Sequence, residues 1–198
     1  VRLSAENALG RYERDLRIVV GDEIALTPPM GWNSWNCWAR DVTQEQILSS
    51  ARAMVEKGLA DHGWSYINID DDWQGRRGGR YNAIQPNKKF PDMAALTREI
   101  HDMGLRVGIY STPWIGTYAA HIGSYSDRPN GENEWIEKGL HNENYRYQKP
   151  GGNYWEDRCE VWHHGPYSFV EADVKQWAEW GIDYLKYDWH PLNYYHVR

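Results

Sequence analysis

The feature that most constrains the fold of this chain is a recurring unit of an amphipathic helix, a glycine and an apolar strand. Strands with this pattern occupy residues 65–70, 105–110 and 182–188, and each ends in a polar residue. Residues 30–33 supply a first short strand. Strands that alternate with helices predict right-handed crossovers and a parallel sheet. We therefore predict an α/β fold in which three helices connect four parallel strands.

Capping signals mark where the predicted helices begin and end. Capping-box patterns start at Thr43 and at Ser168, with Gln46 and Glu171 three positions later. The middle helix ends before Gly104, the residue type that commonly follows a helix C-terminus. The periodicity of the first helix predicts a buried face made of Ile47, Ala51, Met54 and Val55.

The order of these elements fits part of a barrel. No Gly-x-Gly-x-x-Gly loop follows the first strand, which argues against a dinucleotide-binding fold. A closed (β/α)8 barrel uses the same repeated unit and needs about 250 residues, whereas this chain has 198 residues. We predict that residues 27–198 cover roughly the first four β/α units of a (β/α)8 TIM barrel.

The N-terminal segment differs from the rest of the chain. Val1–Asn7 and Asp15–Val20 are short alternating segments around Ala8-Leu9-Gly10, a pattern typical of a β-hairpin. Because a lone hairpin is only marginally stable, we interpret residues 1–22 as the C-terminal strands of a preceding β-sandwich module, and they resemble the end of immunoglobulin-like modules. A simple β-extension of the main domain is nearly as well supported.

Residues 111–166 form a connection far longer than those usually found between a strand and its helix. Connections of that length are functional loops or disordered linkers. The aromatic residues between Trp135 and Trp162 favour an ordered loop, since disordered segments contain few aromatic residues. We predict an ordered insertion whose function the sequence leaves open.

Charge and composition exclude several classes of protein. With 22 Lys and Arg against 28 Asp and Glu, the net charge is −6, so nucleic acid is not an expected partner. No apolar run approaches the roughly 18 residues that span a bilayer, and a start at Val1 without a leader indicates a fragment or a processed product. Cys37 and Cys159 could pair or remain unpaired.

Tryptophan and tyrosine dominate the aromatic residues, with 12 Trp and 14 Tyr against 2 Phe. Their rings combine an apolar face with a polar edge, which suits the C–H faces and hydroxyl rims of sugars. Packing in the core remains the better explanation for any single Trp. Of the two tryptophans near strand ends, we favour a sugar contact for Trp32 and leave Trp73 open.

Acidic residues stand at the ends of the predicted strands. Asp70, Asp71 and Asp72 end the second strand, Tyr110 the third and Asp188 the fourth. Active sites of parallel barrels lie at the carboxyl edge of the strands, and a carboxylate there costs free energy unless it is hydrogen-bonded or contacts a ligand. We therefore expect these side chains to form a site.

Within this set, Lys186 and Asp188 are the strongest pair. Alternation places both on one face of the last strand, and a nearby ammonium group favours the ionised carboxylate that a glycosidase nucleophile needs. A buried ion pair that braces the sheet is the alternative. The three consecutive aspartates could instead hold a divalent cation, but neighbouring side chains on a strand diverge, so sugar hydroxyls fit better, with Asp72 capping a turn.

Four ordered motifs resemble glycoside hydrolase family 27, the α-galactosidases and α-N-acetylgalactosaminidases. They are residues 27–35 (TPPMGWNSW), 66–73 (YINIDDDW), 108–111 (GIYS) and 183–188 (DYLKYD). The resemblance implies a retaining glycosidase on a (β/α)8 barrel, without cofactor or metal, secreted or periplasmic, that acts on oligosaccharides or polysaccharides with terminal α-galactose. It implies Asp188 as nucleophile and a sugar pocket lined by Trp32, Asp70, Asp71, Tyr110 and Lys186.

The resemblance also implies what this chain lacks. The acid/base aspartate of the family comes from the second half of the barrel, so this chain alone is expected to be inactive. Trp189 and His190 replace a small residue and a cysteine after the nucleophile, which leaves open a substrate such as a β-L-arabinopyranoside, an α-N-acetylgalactosaminide or an α-glucan. A non-catalytic carbohydrate-binding barrel is the alternative of a different class.

Overall fold

The computed structural model of the chain describes residues 2–15, 28–119, 121–132 and 165–188. Several residues of interest lie outside this range, namely Cys159, the aromatic residues from Trp135 to Trp162, Trp189 and His190. Within the described range, none of the helices is long and apolar enough to cross a membrane.

Ten strands and four α-helices occur in this part of the chain. The strands are β1 (Arg2–Asn7), β2 (Gly10–Asp15), β3 (Gly31–Asn33), β4 (Tyr66–Ile69), β5 (Gln74–Gly78), β6 (Ala83–Pro86), β7 (Arg106–Ser111), β8 (Tyr125–Ser126), β9 (Tyr167–Ser168) and β10 (Tyr184–Tyr187). The α-helices are α1 (Trp35–Trp38), α2 (Gln44–Glu56), α3 (Met93–Asp102) and α4 (Val170–Trp180).

Four of the strands form a parallel sheet in the order β3, β4, β7, β10, which is also their order in the chain. Helices α2, α3 and α4 connect them in turn. The predicted parallel sheet with three connecting helices is thus confirmed. The described strands add one after another without the reversal of order found in doubly wound sheets.

The two faces of this sheet differ in chemistry. One face packs against the helices and forms the core, whose members include Ile67, Ile69, Val107 and Ile109. The other face is polar: Asn68 Nδ2 donates to Asn33 Oδ1 at 2.7 Å. Gly108 shares that face, and a Cβ atom on it would lie 2.3 Å from the Asn68 side chain. A glycine is therefore required where the Asn68 amide crosses the strand.

The helix boundaries follow the capping signals at α2 but not at α4. Thr43 caps α2, with its side chain accepting from Gln46 N–H, but Leu48 rather than Val55 belongs to the buried face. At α4 the N-cap is Phe169 without a side-chain cap. Ser168 is therefore not the N-cap as predicted, because it pairs with Tyr125 in β9, although its Oγ accepts from the Val170 N–H at 3.4 Å.

The N-terminal hairpin forms, but its second strand lies earlier than predicted. β1 and β2 pair antiparallel from Arg2 with Asp15 to Asn7 with Gly10. Asn7 Oδ1 accepts from Leu9 N–H at 2.8 Å, which closes a two-residue turn. The second strand therefore starts at Gly10 and not at Asp15. All described residues of both strands are exposed.

The hairpin of β5 and β6, which follows the acidic end of β4, was not predicted from the sequence. The segment after β7 was predicted to begin an ordered insertion, and its described part is folded: Gly116 bridges Ile122, and β8 pairs with β9. The buried side chains of Trp114, Ile115 and Ile122 explain why this segment is packed and not extended.

Candidate active site

A pocket opens at the carboxyl ends of β4, β7 and β10. It has a cavity volume of about 160 Å³ and is lined by Trp35, Asp70, Asp71, Tyr110, Tyr118, Lys186 and Asp188. The predicted residues Asp70, Asp71, Tyr110, Lys186 and Asp188 are therefore brought together in one place.

Asp70 is the carboxylate that pairs with the lysine. Lys186 Nζ donates to Asp70 Oδ2 at 2.6 Å, and Asn33 Nδ2 donates to the same oxygen at 2.5 Å. The backbone N–H of Asp70 donates to Ser34 Oγ. Alternation along β10 suggests Asp188 as the partner of Lys186, but the ion pair of Lys186 with Asp70 joins two strands and not two positions of one strand.

Asp188 is held by a phenol. Tyr110 Oη donates to Asp188 Oδ2 at 2.8 Å, and the Asp188 N–H donates to Ser111 C=O at 2.9 Å, which extends the β7–β10 pairing to the pocket. Burial raises the pKa of the Tyr110 hydroxyl well above its ordinary value, and the carboxylates of Asp71 and Asp188 raise it further. The hydroxyl therefore stays protonated and remains a donor at neutral pH.

Asp71 is buried and bound on both of its oxygens. Thr117 Oγ1 donates to Oδ1 at 2.8 Å, and the Ala119 N–H donates to Oδ2 at 2.6 Å. Burial raises the pKa of the Asp71 carboxyl, and the nearby His121 and these hydrogen bonds only partly offset it. Asp71 thus lines the pocket while it also holds the segment that follows β7.

Asp72 points away from the other two aspartates. Its carboxylate lies 2.6 Å from Lys89 Nζ and 3.2 Å from His121 Nε2. Burial raises the pKa of Asp72, but the hydrogen bonds and charges of His121 and Lys89 outweigh burial and leave the pKa lowered. Among the described residues, no group of three or more His, Cys, Asp or Glu could hold a metal ion.

The tryptophan in the pocket is Trp35 and not Trp32. Trp32 packs against the hydrophobic core on the helix side of the sheet. The register explains this placement, since Trp32 pairs with the core residue Ile67 whereas Asn33 pairs with Asn68 on the polar face. The predicted sugar contact of Trp32 is therefore assigned to the wrong side of β3. Trp73, which the sequence left open, is buried and donates its Nε1–H to Tyr110 C=O.

Sequence reasoning missed two aromatic residues of the pocket lining, Trp35 and Tyr118. Both stand in short segments after a strand, where periodicity gives no information about direction. Trp35 lies in a motif that was recognised in the sequence. The alternation of side chains along β3 could have indicated that Trp32 does not share the face of Asn33. No signal in the sequence singled out Tyr118.

Carboxylates and aromatic rings at the carboxyl edge of a parallel sheet occupy the place where α/β-barrel enzymes have their active sites. The profile of the alpha-galactosidase A family matches residues 27–157 of this chain. The chain belongs to this family, which corresponds to glycoside hydrolase family 27.

Individual relatives agree with the family. Alpha-galactosidase A of Cellvibrio japonicus is 35% identical over 170 residues, which cover 85% of this chain and 31% of the relative. The crystal structure of alpha-galactosidase I from Mortierella vinacea matches with a TM-score of 0.60 and 31% identity, over 85% of this chain and 32% of that one.

Alpha-galactosidase of Saccharomyces cerevisiae, solved with raffinose, matches with a TM-score of 0.58 and 26% identity, over 83% of this chain and 27% of that one. Across these comparisons the chain spans about a third of the length of the relatives that it matches.

Proposed function

We propose that the protein carrying this chain is a retaining exo-glycosidase that hydrolyses terminal α-galactosidic bonds. The observation that supports this proposal best is the pocket at the carboxyl edge, where Asp188 accepts from Tyr110 across from the Asp70–Lys186 pair. Membership in the alpha-galactosidase A family supports the choice of sugar.

In this proposal Asp188 is the nucleophile. The hydrogen bond from Tyr110 holds the Asp188 carboxylate in the pocket, where one of its oxygens would attack the anomeric carbon. The bond to the glycosidic oxygen breaks as the new C–O bond forms, and an acid delivers a proton to the leaving oxygen. Water then releases the sugar from Asp188 with retention of configuration, while the same group acts as base.

The polar residues of the pocket would hold the sugar. Asp70 Oδ1, which accepts one bond from the Asp71 N–H, and the ammonium group of Lys186 present an acceptor and donors in fixed positions, which suits neighbouring hydroxyl groups. Asp71 Oδ2 accepts one bond from Ala119 and can take a second from a sugar hydroxyl, because a carboxylate oxygen has two lone pairs. Trp35 supplies an apolar ring face for the C–H side of the pyranose.

We expect the acid/base carboxylate from outside the described residues. Asp70 and Asp71, the other carboxylates that line the pocket, are each bound to internal donors. The parallel sheet with helices on one face would form the first four units of a (β/α)8 barrel, completed by further chain. The hairpin of β1 and β2 would then end a preceding immunoglobulin-like β module.

An oligosaccharide or polysaccharide with terminal α-galactose is the proposed substrate. The complex of the yeast relative with raffinose supports an oligosaccharide. We also propose a secreted or periplasmic location, which suits an enzyme that acts on polymers outside the cell.

The nucleophile can be tested directly in the complete protein. An activated fluorosugar, such as 5-fluoro-α-galactosyl fluoride, accumulates the covalent intermediate, and peptide mass spectrometry locates the sugar. We expect the label on the peptide that contains Asp188. The Asp188→Asn variant should remain unlabelled and lose at least about a thousandfold in kcat on an aryl α-galactoside.

The outcomes separate the proposals. A label on another carboxylate, or retention of more than about a tenth of the rate by Asp188→Asn, contradicts the assignment of the nucleophile. A protein that binds galactose but gives neither label nor turnover is a non-catalytic carbohydrate-binding barrel. The anomer released first, followed by NMR, shows whether configuration is retained.

A further inference from the structure

The segment that follows β7 turns back on itself and carries its tip to the acidic end of β4. Thr117 N–H donates to His121 C=O at 2.9 Å, and Thr117 Oγ1 accepts from His121 N–H at 3.0 Å. The Gly116–Ile122 bridge closes the turn from behind. This turn therefore has a definite shape, set by its own hydrogen bonds.

One side chain of this turn opens into the pocket. Tyr118 lines the pocket beside Trp35 and the carboxylates, and it is only partly buried. Every other residue from 111 to 119 is buried. Tyr118 is therefore the one residue from 111 to 119 that is not fully buried, and it lines the pocket.

The neighbours of Tyr118 fasten the turn to two aspartates. On its two sides, Thr117 Oγ1 and Ala119 N–H donate to Asp71. Farther along, His121 Nε2 lies 3.2 Å from Asp72 Oδ1. Tyr118 thus stands between two residues that both donate to the buried carboxylate of Asp71. The contact between His121 and Asp72 fixes the end of the turn.

Asp72 is itself held in an unusual conformation. Its φ is +82°, in the left-handed region that residues other than glycine seldom adopt. Asn87 Nδ2 donates to Asp72 C=O at 2.8 Å, and Lys89 Nζ bridges the Asp72 carboxylate and the Arg40 C=O. Strained residues persist where the surrounding contacts over-determine them. These contacts fix the Asp72 carboxylate where His121 reaches it.

We propose that Tyr118 is a sugar-contacting residue of this pocket, and that Asp72 and His121 are positioning residues that hold it there. This inference rests on the proposed glycosidase function. The phenol offers a ring face for the C–H side of a pyranose and a hydroxyl for its rim, in the pocket that Asp70 and Lys186 also line. Displacing the turn would withdraw this contact without touching the nucleophile.

The test compares variants in the complete protein by steady-state kinetics with an aryl α-galactoside and by calorimetric titration with free D-galactose. Tyr118→Ala should raise KM and the galactose Kd about tenfold, with a smaller change in kcat. Tyr118→Phe keeps the ring and should stay within about threefold. Tyr12→Ala, on the exposed strand β2, is the matched control and should match the wild type.

A double variant tests the positioning role. His121→Ala should raise KM in the same direction as Tyr118→Ala. If His121 acts through Tyr118, the double variant should be no worse than Tyr118→Ala alone, because two residues that act as one unit are not additive. Circular dichroism of each variant checks that the fold is kept.

Each result bears on a definite part of the proposal. Unchanged KM and Kd in Tyr118→Ala, with an active wild type, contradict the sugar contact. Additive losses in the double variant contradict the positioning by His121. A wild type that binds galactose without turnover contradicts the proposed activity while the titration still tests Tyr118, and a wild type without binding overturns both.

Discussion

Removing the carboxylate of Asp173 should destabilise the protein more than any substitution on its surface. Asp173 on α4 receives both terminal nitrogens of Arg77 on β5, at 2.7 and 3.2 Å, and its Oδ1 also accepts from the Ile84 N–H. The side chains of Arg77 and Asp173 are 3% and 0% exposed. The Asp173→Ala substitution would leave a buried guanidinium group without its counter-charge.

The magnitude follows from these contacts. Breaking a buried ion pair by removing one partner costs about 3–5 kcal/mol. Burial raises the pKa of the Asp173 carboxyl despite the opposing effect of Arg77, so the pair only partly offsets its own desolvation, and we expect the lower half of that range. For a chain of about 200 residues, 1 kcal/mol shifts Tm by roughly 2–4 °C. The expected loss in Tm is therefore about 10 °C.

A nearby ion pair supplies the control. Arg80 and Glu179 lie 3.9 Å apart on the same hairpin and the same helix, but their side chains are 76% and 50% exposed. Exposed pairs contribute about 0–1 kcal/mol, so Glu179→Ala should hardly change the urea midpoint. Replacing both members of the buried pair, as Arg77→Met with Asp173→Leu, should recover only part of the stability, because the apolar residues avoid the desolvation cost while the Ile84 N–H and the Gly123 C=O lose their partners.

The reasoning is refuted if Asp173→Ala and Glu179→Ala unfold at the same urea concentration. A loss of stability of the expected size should also disturb the pocket. Arg77 Nη2 donates to the Gly123 C=O, directly after the turn that carries Tyr118. We therefore expect weaker galactose binding in Asp173→Ala even under conditions where it remains folded.

Two further predictions concern the pocket. Tyr110→Phe removes the hydrogen-bond donor to Asp188. It should lower kcat/KM on an aryl α-galactoside by about tenfold to a hundredfold, since hydrogen bonds to charged groups contribute about 1.5–3 kcal/mol. An unchanged kcat/KM would show that this hydrogen bond does not orient the Asp188 carboxylate. Asp72→Asn should lower the free energy of unfolding at pH 7. Because folding lowers the pKa of Asp72, the contribution of its carboxylate to stability is present above the ordinary pKa of about 3.8 and is lost as the pH falls below that value. Urea titrations at pH 7 and pH 3 should therefore show that the difference in stability between wild type and Asp72→Asn shrinks at the lower pH. An equal difference at both pH values contradicts the ion pair.

The parallel sheet could be predicted because its strands are apolar runs that follow glycine-terminated helices. Each predicted strand overlaps the observed one within one or two residues, as for 105–110 against Arg106–Ser111. The β5–β6 hairpin could not be predicted, because its sequence is polar and rich in glycine. It is held by Arg77, whose partner Asp173 stands 96 positions farther along the chain, and such a contact leaves no local pattern.

The composition of the pocket could be predicted where strand ends decide it, and not where loops do. Asp70, Tyr110 and Asp188 line the pocket because β4, β7 and β10 end at one edge. The partner of Lys186 was misjudged, because alternation describes one strand, whereas Asp70 approaches from a strand two places away in the sheet. Tyr118 depends on how a turn folds onto Asp71, which periodicity does not encode.

The pairing of Asp70 with Lys186 has a consequence for assembly of the molecule. Asp70 is 2% exposed, and the ammonium group that it contacts is supplied 116 positions later. During synthesis, Asp70 therefore leaves the ribosome well before Lys186. Until β10 joins β7, enclosing the Asp70 carboxylate would be costly, so a three-stranded intermediate should keep the pocket hydrated. Arrival of the fourth strand then supplies the counter-charge of Asp70 and adds β10 to the sheet in one step.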